Sequence, residues 1–449
     1  MSQVWTPVGR RGRVGKSVLK TGFSRVDGVM YCEGVSLERI ALDVGTPAYV
    51  YSAATIRDRY ARLDRTLAPV PHRIHYTLKA NSSRGVLEVI RALGAGVDVV
   101  SGGELHRALA AGFKPPDIIF GGVGKTEREL AEALDADILF INAESEAEVR
   151  MIDRLAGERG IRARVSLRVN PEITLDTPHD YIKTGGRGHK FGIPYDDVVH
   201  VALIAAELSH VDLVGLDMHI GSQLSRIDPY REGTERLASI FAELTKQGVR
   251  TLEYLDIGGG LGVRYDTEQP PDLRRFADLV LPTVTETGLK LIMEPGRFIV
   301  GNAAVLLTTV LYRKRSGGKD YVVADAGMTE LLRPSHYGAF HRILPMREVG
   351  EPSTVDVVGP VCESGDFLAL DRELYDAQPG EYLLVCDVGA YGFAMASNYN
   401  SRLRPAEVMV DGDRYAVITA REEYADLSRL EIAQPEWKRE TGTGMGRGI

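Results

Sequence analysis

His75-Tyr76-Thr77-Leu78-Lys79-Ala80-Asn81 closes an apolar run that begins at Ile74 and reads as a buried β-strand. A lysine at the end of such a strand is costly unless it has a partner or a task. A lone lysine there would most often snorkel to solvent. This one has company. Later strand-like runs end in His219, in Gly258-Gly259-Gly260 and in Glu294-Pro295-Gly296-Arg297.

Working outward from this stretch, β-rich apolar runs at 74–78, 97–100, 118–120, 138–141, 165–169, 213–218, 254–257 and 291–293 predict strands. Helical patterns alternate with them, as at 85–93, 104–111, 127–134 and 144–155. Alternation of this kind implies parallel strands joined by right-handed crossovers. Eight such units predict an α/β fold of the TIM-type (β/α)8 barrel, whose functional groups gather at the C-terminal ends of the strands. Lys79 would end the first strand, His219 the sixth, the glycine run the seventh and Glu294 the eighth. Phosphate sites in such barrels often use the loops after strands seven and eight.

Past residue 301 the pattern changes. Strand-like runs at 305–312, 320–324, 353–359, 381–388 and 407–410 follow one another with no comparable helices. They predict a second, mostly β domain. A short strand at 29–32 joins it. The expected division is therefore a barrel over 45–300, a β-sandwich or barrel-like domain made from 1–44 and 301–435, and a flexible, glycine-rich tail over 436–449.

With 449 residues, 44% hydrophobic and 26% charged, the chain is long enough for two substantial cores. A net charge of −8 argues against a nucleic-acid partner. Three scattered cysteines, Cys32, Cys362 and Cys386, make neither a disulfide framework nor a metal-ligand pattern, and they suit a reducing cytoplasm. The basic start lacks the apolar run of a secretory signal, and no stretch approaches the roughly 20 apolar residues of a membrane span.

Each motif also has a plainer reading. Gly121-Gly122-Val123-Gly124-Lys125-Thr126 invites a P-loop interpretation, but Ile119 stands where that pattern needs its first glycine. A strand-end turn is the better reading. Gly258-Gly259-Gly260 would form a tight turn whose backbone can approach phosphate oxygens. Glu294 could pair with Arg297, or stand against the ring nitrogen of a cofactor and keep it protonated. Arg297 suits a substrate carboxylate. His219 could be a satisfied core histidine, or could stack on a ring. Cys362, between Gly359 and Asp366, is a candidate proton donor. A lysine amine, an aromatic base, a phosphate cradle and a carboxylate are together the parts that hold pyridoxal 5'-phosphate by a Schiff base.

These segments resemble those of the diaminopimelate decarboxylases, which are fold-type III pyridoxal-phosphate enzymes of alanine racemase-like fold. The resemblance runs from about Gly45 to Val410. It rests on residues 76–81, 98–105, 219–224, 256–262 and 294–297, on Arg333-Pro334 with Tyr337, on 359–367 and on 391–405. It implies that Lys79 forms the Schiff base and that His219 packs on the cofactor ring. Ser222, Gly259, Gly260, Gly296, Arg297 and Tyr391 would complete the cofactor contacts, and Glu294 would face the pyridine nitrogen. Arg297, Arg333, Tyr337 and Tyr391 would meet the substrate, with Glu363 on its distal ammonium. The family's dimers share their active sites through the segment equivalent to Cys362–Glu363. The reaction implied is decarboxylation of meso-2,6-diaminopimelate to L-lysine and CO2, the last step of lysine biosynthesis.

Residues 177–185 and His189 depart from the family's usual pattern. Rival readings are a decarboxylase for ornithine, arginine or a carboxylated polyamine such as carboxynorspermidine, and a non-catalytic relative that keeps the fold. A racemase is disfavoured by Glu294, since that chemistry avoids a protonated ring nitrogen.

Overall fold

The structure, a computed structural model, describes residues 22–173 and 188–438. Eight parallel strands close into a barrel: β1 (His72–Thr77), β2 (Gly96–Val99), β3 (Ile118–Phe120), β4 (Phe140–Ala143), β5 (Ala163–Asn170), β6 (Val211–Met218), β7 (Tyr254–Asp256) and β8 (Lys290–Met293). The β8–β1 pairing sets Met293 beside Ile74, and the β4–β5 pairing completes the ring. Each strand falls where the sequence predicts it. Several of the intervening helices start on side-chain caps. Ser101 and Ser145 accept from the amides of Glu104 and Glu148, and Thr126 forms a reciprocal capping box with Glu129.

The strands' period of two decides what lies inside the barrel. Ile74, Tyr76, Val97, Val99 and Phe120 belong to the large buried cluster shared with the helices. Ile119, Phe140, Val214, Tyr254 and Ile292 form a separate plug. Two residues beyond Tyr254 and Ile292, on the same face of their strands, stand Asp256 and Glu294. An apolar plug thus gives way to carboxylates toward the C-terminal end.

In the second domain the strand Ala304–Ser316 is the spine. It pairs antiparallel with Lys319–Ala324, with Tyr382–Cys386 and with Ala48–Ser52. Ala48–Ser52 also pairs in parallel with Ala406–Asp411. Residues 48–52 therefore lie in the β domain, although the sequence assigns them to the barrel. The barrel portion opens with the helix Ala53–Leu67. An apolar strand just ahead of a helix looks like a barrel unit in sequence, and only its hydrogen-bonding partners show otherwise. The first described residues follow the β domain too, with Phe23, Met30 and Cys32 packed against Val305, Leu384 and Val408. Strands Phe367–Leu374 and Arg414–Thr419 were not anticipated. The tail expected from 436 lies, from 439 onward, outside the described residues. No described helix is long and apolar enough to cross a membrane.

Candidate active site

Lys79 is the middle residue of a 3-10 turn, Leu78–Ala80, that follows directly on β1. The sequence predicts a buried amine, and here the structure differs: Lys79 is exposed. It stands past the last residue of the strand, where Leu78 and Ala80 take the buried positions. Its charge still lowers the carboxyl pKa values of Asp98 and Glu104 and the imidazole pKa of His219.

His219 follows β6. Its Nδ1 accepts from the amide of Gly259 at 3.3 Å, which leaves the ring proton on Nε2. Burial first, then the charges of Arg168 and Lys79, push the imidazole well below its ordinary pKa, so the ring is neutral. The glycine run after β7 cannot be anything else. A side chain on Gly259 would collide with the Glu294 carbonyl, and Gly260 has φ +98° with the Gly221 carbonyl in the way of any Cβ. Tyr230 anchors this turn by donating from its hydroxyl to the Gly259 carbonyl at 2.7 Å. Gly296 is as tightly held, with Ala80 and Thr77 in the space a Cβ would need.

Glu294 is not an ion-pair partner of Arg297. It lies in a buried acid cluster in which the oxygens of Asp217, Asp256 and Glu294 stand within 4.8 Å of one another. Burial first, then the charges of Asp256, Asp98 and Asp217, push Glu294 well above the ordinary carboxylate range. Burial raises Asp256 to about 7 and Asp98 to about 6. Arg168 is the nearby cation, 3.9 Å from Asp217 and bonded to Glu144 at 2.6 Å. Among the described residues, one oxygen of Asp217 and one of Asp256 have no hydrogen-bond partner. The sequence reading missed Asp98, Asp217 and Asp256. Their signal was available: acids within or at the ends of barrel strands, two residues beyond Gly96, Gly215 and Tyr254.

On the other side of the mouth, Arg297 and Arg333 are only 8% and 7% exposed. Arg297 donates to the hydroxyl of Tyr265 at 2.7 Å and to that of Ser222 at 3.0 Å, and lies 4.7 Å over the ring of Tyr391. Arg333 lies 4.6 Å over the ring of Tyr265 and bonds His341 at 2.7 Å. Tyr337 and Tyr391 are close enough to act electrostatically on both guanidiniums. The structure thus gathers Ser222, Arg297, Arg333, Tyr337 and Tyr391 with Tyr265 and His341. Neither arginine makes a carboxylate ion pair among the described residues. Two buried guanidiniums held by neutral groups carry a desolvation cost that a bound anion would offset.

Cys362 and Glu363 are exposed. The Cys362 amide donates to Asn400 and Glu363 meets Tyr399, while Asp366 fixes the loop by accepting from Val361 and Met328. No described contact joins either residue to Lys79, His219 or Glu294. Lys125 is a structural residue. Its ammonium is buried against Glu148 at 2.8 Å and donates to the carbonyls of Gly122 and Asn142, as a strand-end turn would use it. The unusual segment 177–185 falls among residues outside those described.

A closed parallel barrel with a lysine, an imidazole, a glycine turn and a carboxylate at its strand ends, joined to a β domain that brings arginines and tyrosines, is the architecture of the pyridoxal-dependent decarboxylases. The family model for the pyridoxal-dependent decarboxylase, pyridoxal binding domain matches residues 53–301. A diaminopimelate decarboxylase of Vibrio cholerae is 45% identical, covering 91% of this chain and 98% of its own length. The crystal structure of diaminopimelate decarboxylase from Helicobacter pylori complexed with L-lysine is 40% identical. It superimposes with a TM-score of 0.85 and covers 88% of this chain and 98% of its own. A lysine/ornithine decarboxylase from Vibrio vulnificus, 22% identical with a TM-score of 0.74 over 84% of this chain and 97% of its own, shares the fold alone. The chain belongs to the diaminopimelate decarboxylase family and is a carboxy-lyase.

Proposed function

We propose that the chain removes the carboxylate from the D-centre of meso-2,6-diaminopimelate, giving L-lysine and CO2, with pyridoxal 5'-phosphate as cofactor. The donor set fits that group: a free amine on Lys79, a glycine turn where any Cβ would collide with neighbouring backbone, and a buried carboxyl on Glu294. When bound, the cofactor supplies an electron sink for the pair left at Cα as the carboxylate departs.

The chain's own residues do the rest. Lys79 would hold the cofactor covalently through its amine. His219, neutral and fixed by the Gly259 amide, offers a ring face without adding charge. Glu294 would hold the ring nitrogen, with Asp256 and Asp217 as its acid neighbours. The backbone of the Gly258–Gly260 turn and of Gly296 would hold the phosphate. Arg297 and Arg333, with Tyr337 and Tyr391, receive the distal end of the substrate. Cys362 and Glu363 of the partner subunit complete the site in a shared-site dimer, Glu363 on the distal ammonium and Cys362 returning a proton to Cα.

The observation that carries the substrate assignment is the pair of buried arginines without a carboxylate partner among the described residues. A diamino monocarboxylate loses its only carboxylate to the reaction and leaves a buried guanidinium stranded, whereas diaminopimelate brings a second carboxylate to it. The test is the ratio of kcat/KM for meso-diaminopimelate to that for lysine, ornithine and arginine. It should favour diaminopimelate strongly, and Arg333→Ala should cut turnover of that substrate roughly 10- to 100-fold. Equal turnover of a substrate without the distal carboxylate contradicts the assignment.

A further inference from the structure

Arg333 and Arg297 carry like charges in one buried pocket, and each is held in place by neutral groups. Tyr265 touches both. Its hydroxyl accepts from Arg297 at 2.7 Å, and its ring face takes Arg333 at 4.6 Å. Tyr265 is itself buried and meets His341 edge-on, with ring centroids 5.4 Å apart at 76°. Tyr265 lies on the loop after β7, whereas His341 and Arg333 come from the β domain. The contact therefore spans the two domains.

His341 is fully buried, and its tautomer follows from its partners. The carbonyl of Cys386 can only accept, so Nδ1, 2.9 Å away, carries the proton. Nε2 then has a lone pair and accepts from Arg333 at 2.7 Å. Burial first, then the charge of Arg333, hold the ring neutral. A carboxylate at this position would orient Arg333 equally well but would cancel its charge. A neutral imidazole fixes the guanidinium and leaves the full charge for a ligand.

We infer that His341 and Tyr265 are positioning residues that set the orientation and spacing of Arg333 and Arg297, and through them the requirement for a second carboxylate on the substrate. This rests on the proposed role of the two arginines as carboxylate receivers. It predicts an effect on binding of the distal group, leaving cofactor loading unchanged.

The test uses the pyridoxal-loaded protein in wild-type form and as His341→Phe, His341→Gln and Tyr265→Phe. His341→Phe keeps a ring but loses both hydrogen bonds. His341→Gln can still donate to the Cys386 carbonyl and accept from Arg333. Tyr265→Phe removes one hydroxyl and keeps the packing. For meso-diaminopimelate, His341→Phe should raise KM about 10-fold or more with a smaller change in kcat. His341→Gln should recover much of that loss, and Tyr265→Phe should fall between. Cofactor absorbance should match wild type in all three.

A second readout separates this inference from the proposed reaction. Inhibition or thermal protection by a seven-carbon dicarboxylate without amino groups probes the arginines alone. Its affinity should fall about 10-fold in His341→Phe and return in His341→Gln. Equal dicarboxylate affinity in wild type and His341→Phe overturns the inference, as does absence of binding to wild type. Failure of wild type to release lysine while dicarboxylate binding follows the expected order counts against the proposed reaction and supports the positioning role.

Discussion

The amide of Tyr391 donates to the carbonyl of Ala80 at 2.8 Å, so the β domain is fastened to the barrel one residue past Lys79. Tyr391 reaches this position with φ +58° and lays its ring under Arg297 at 4.7 Å. One residue thus ties the cofactor end of the pocket to its arginine end. Tyr391→Ala removes the ring face and should weaken substrate binding by about 3- to 30-fold, the range of a desolvated cation–π contact. Tyr391→Phe should retain most of that contact. The measurement is KM for both variants with cofactor loading checked by absorbance.

Lys79 is exposed and has Asp98, Glu104 and His219 around it, so its amine is open to a carbonyl reagent. Borohydride treatment of the pyridoxal-loaded protein should fix the cofactor to Lys79, readable by peptide mass. Lys79→Ala should lose the adduct and at least about 1,000-fold in kcat, at the upper end of what one group contributes. Trapping on another lysine, with activity retained, contradicts the assignment.

Asp256 makes pH-dependent stability a test of the acid cluster. Its folded-state pKa is raised to about 7, against an ordinary 3.8. The folded protein therefore binds more protons than the unfolded chain between those values, and the contribution to stability is lost as pH rises through the folded pKa. The buried histidines His75, His219 and His341, whose pKa values are lowered, act in the opposite sense below their ordinary value of 6.5, so the comparison is by difference. In cofactor-free protein, the Tm of wild type minus that of Asp256→Asn should decrease steadily from pH 5 to pH 8. A difference that is flat or rises across that window contradicts the raised pKa.

Cys362 and Glu363 stand exposed, away from the Lys79 cluster, and their proposed use is in the site of a second copy. Inactive Lys79→Ala and impaired Cys362→Ala proteins, unfolded and refolded together in equal amounts, should regain roughly a quarter of wild-type activity. Half the dimers would then be mixed, each with one site free of both substitutions. No gain over the separate variants would place Cys362 outside a shared site.

The barrel was legible from sequence because short apolar strand-like runs alternate with helical patterns eight times, and all eight strands fall at the expected places. The strand Ala48–Ser52 was not, because pairing with Ala406–Asp411, more than 350 residues away, leaves no local trace. The motif residues Lys79, His219, Glu294, Arg297 and Arg333 stand out by type and position. Tyr265 and His341 do not. A tyrosine in a loop and a histidine between Phe340 and Arg342 signal nothing until two chain segments meet. The exposure of Lys79 was misread for a related reason: a strand's apolar pattern does not reveal where its last backbone bond falls.

The most direct test is to incubate the purified protein with pyridoxal phosphate and meso-diaminopimelate and measure lysine and CO2 together. Equimolar release of both, abolished in Lys79→Ala, is the result predicted here. Protein that binds the cofactor at Lys79 yet releases neither product from meso-diaminopimelate would contradict the proposed substrate.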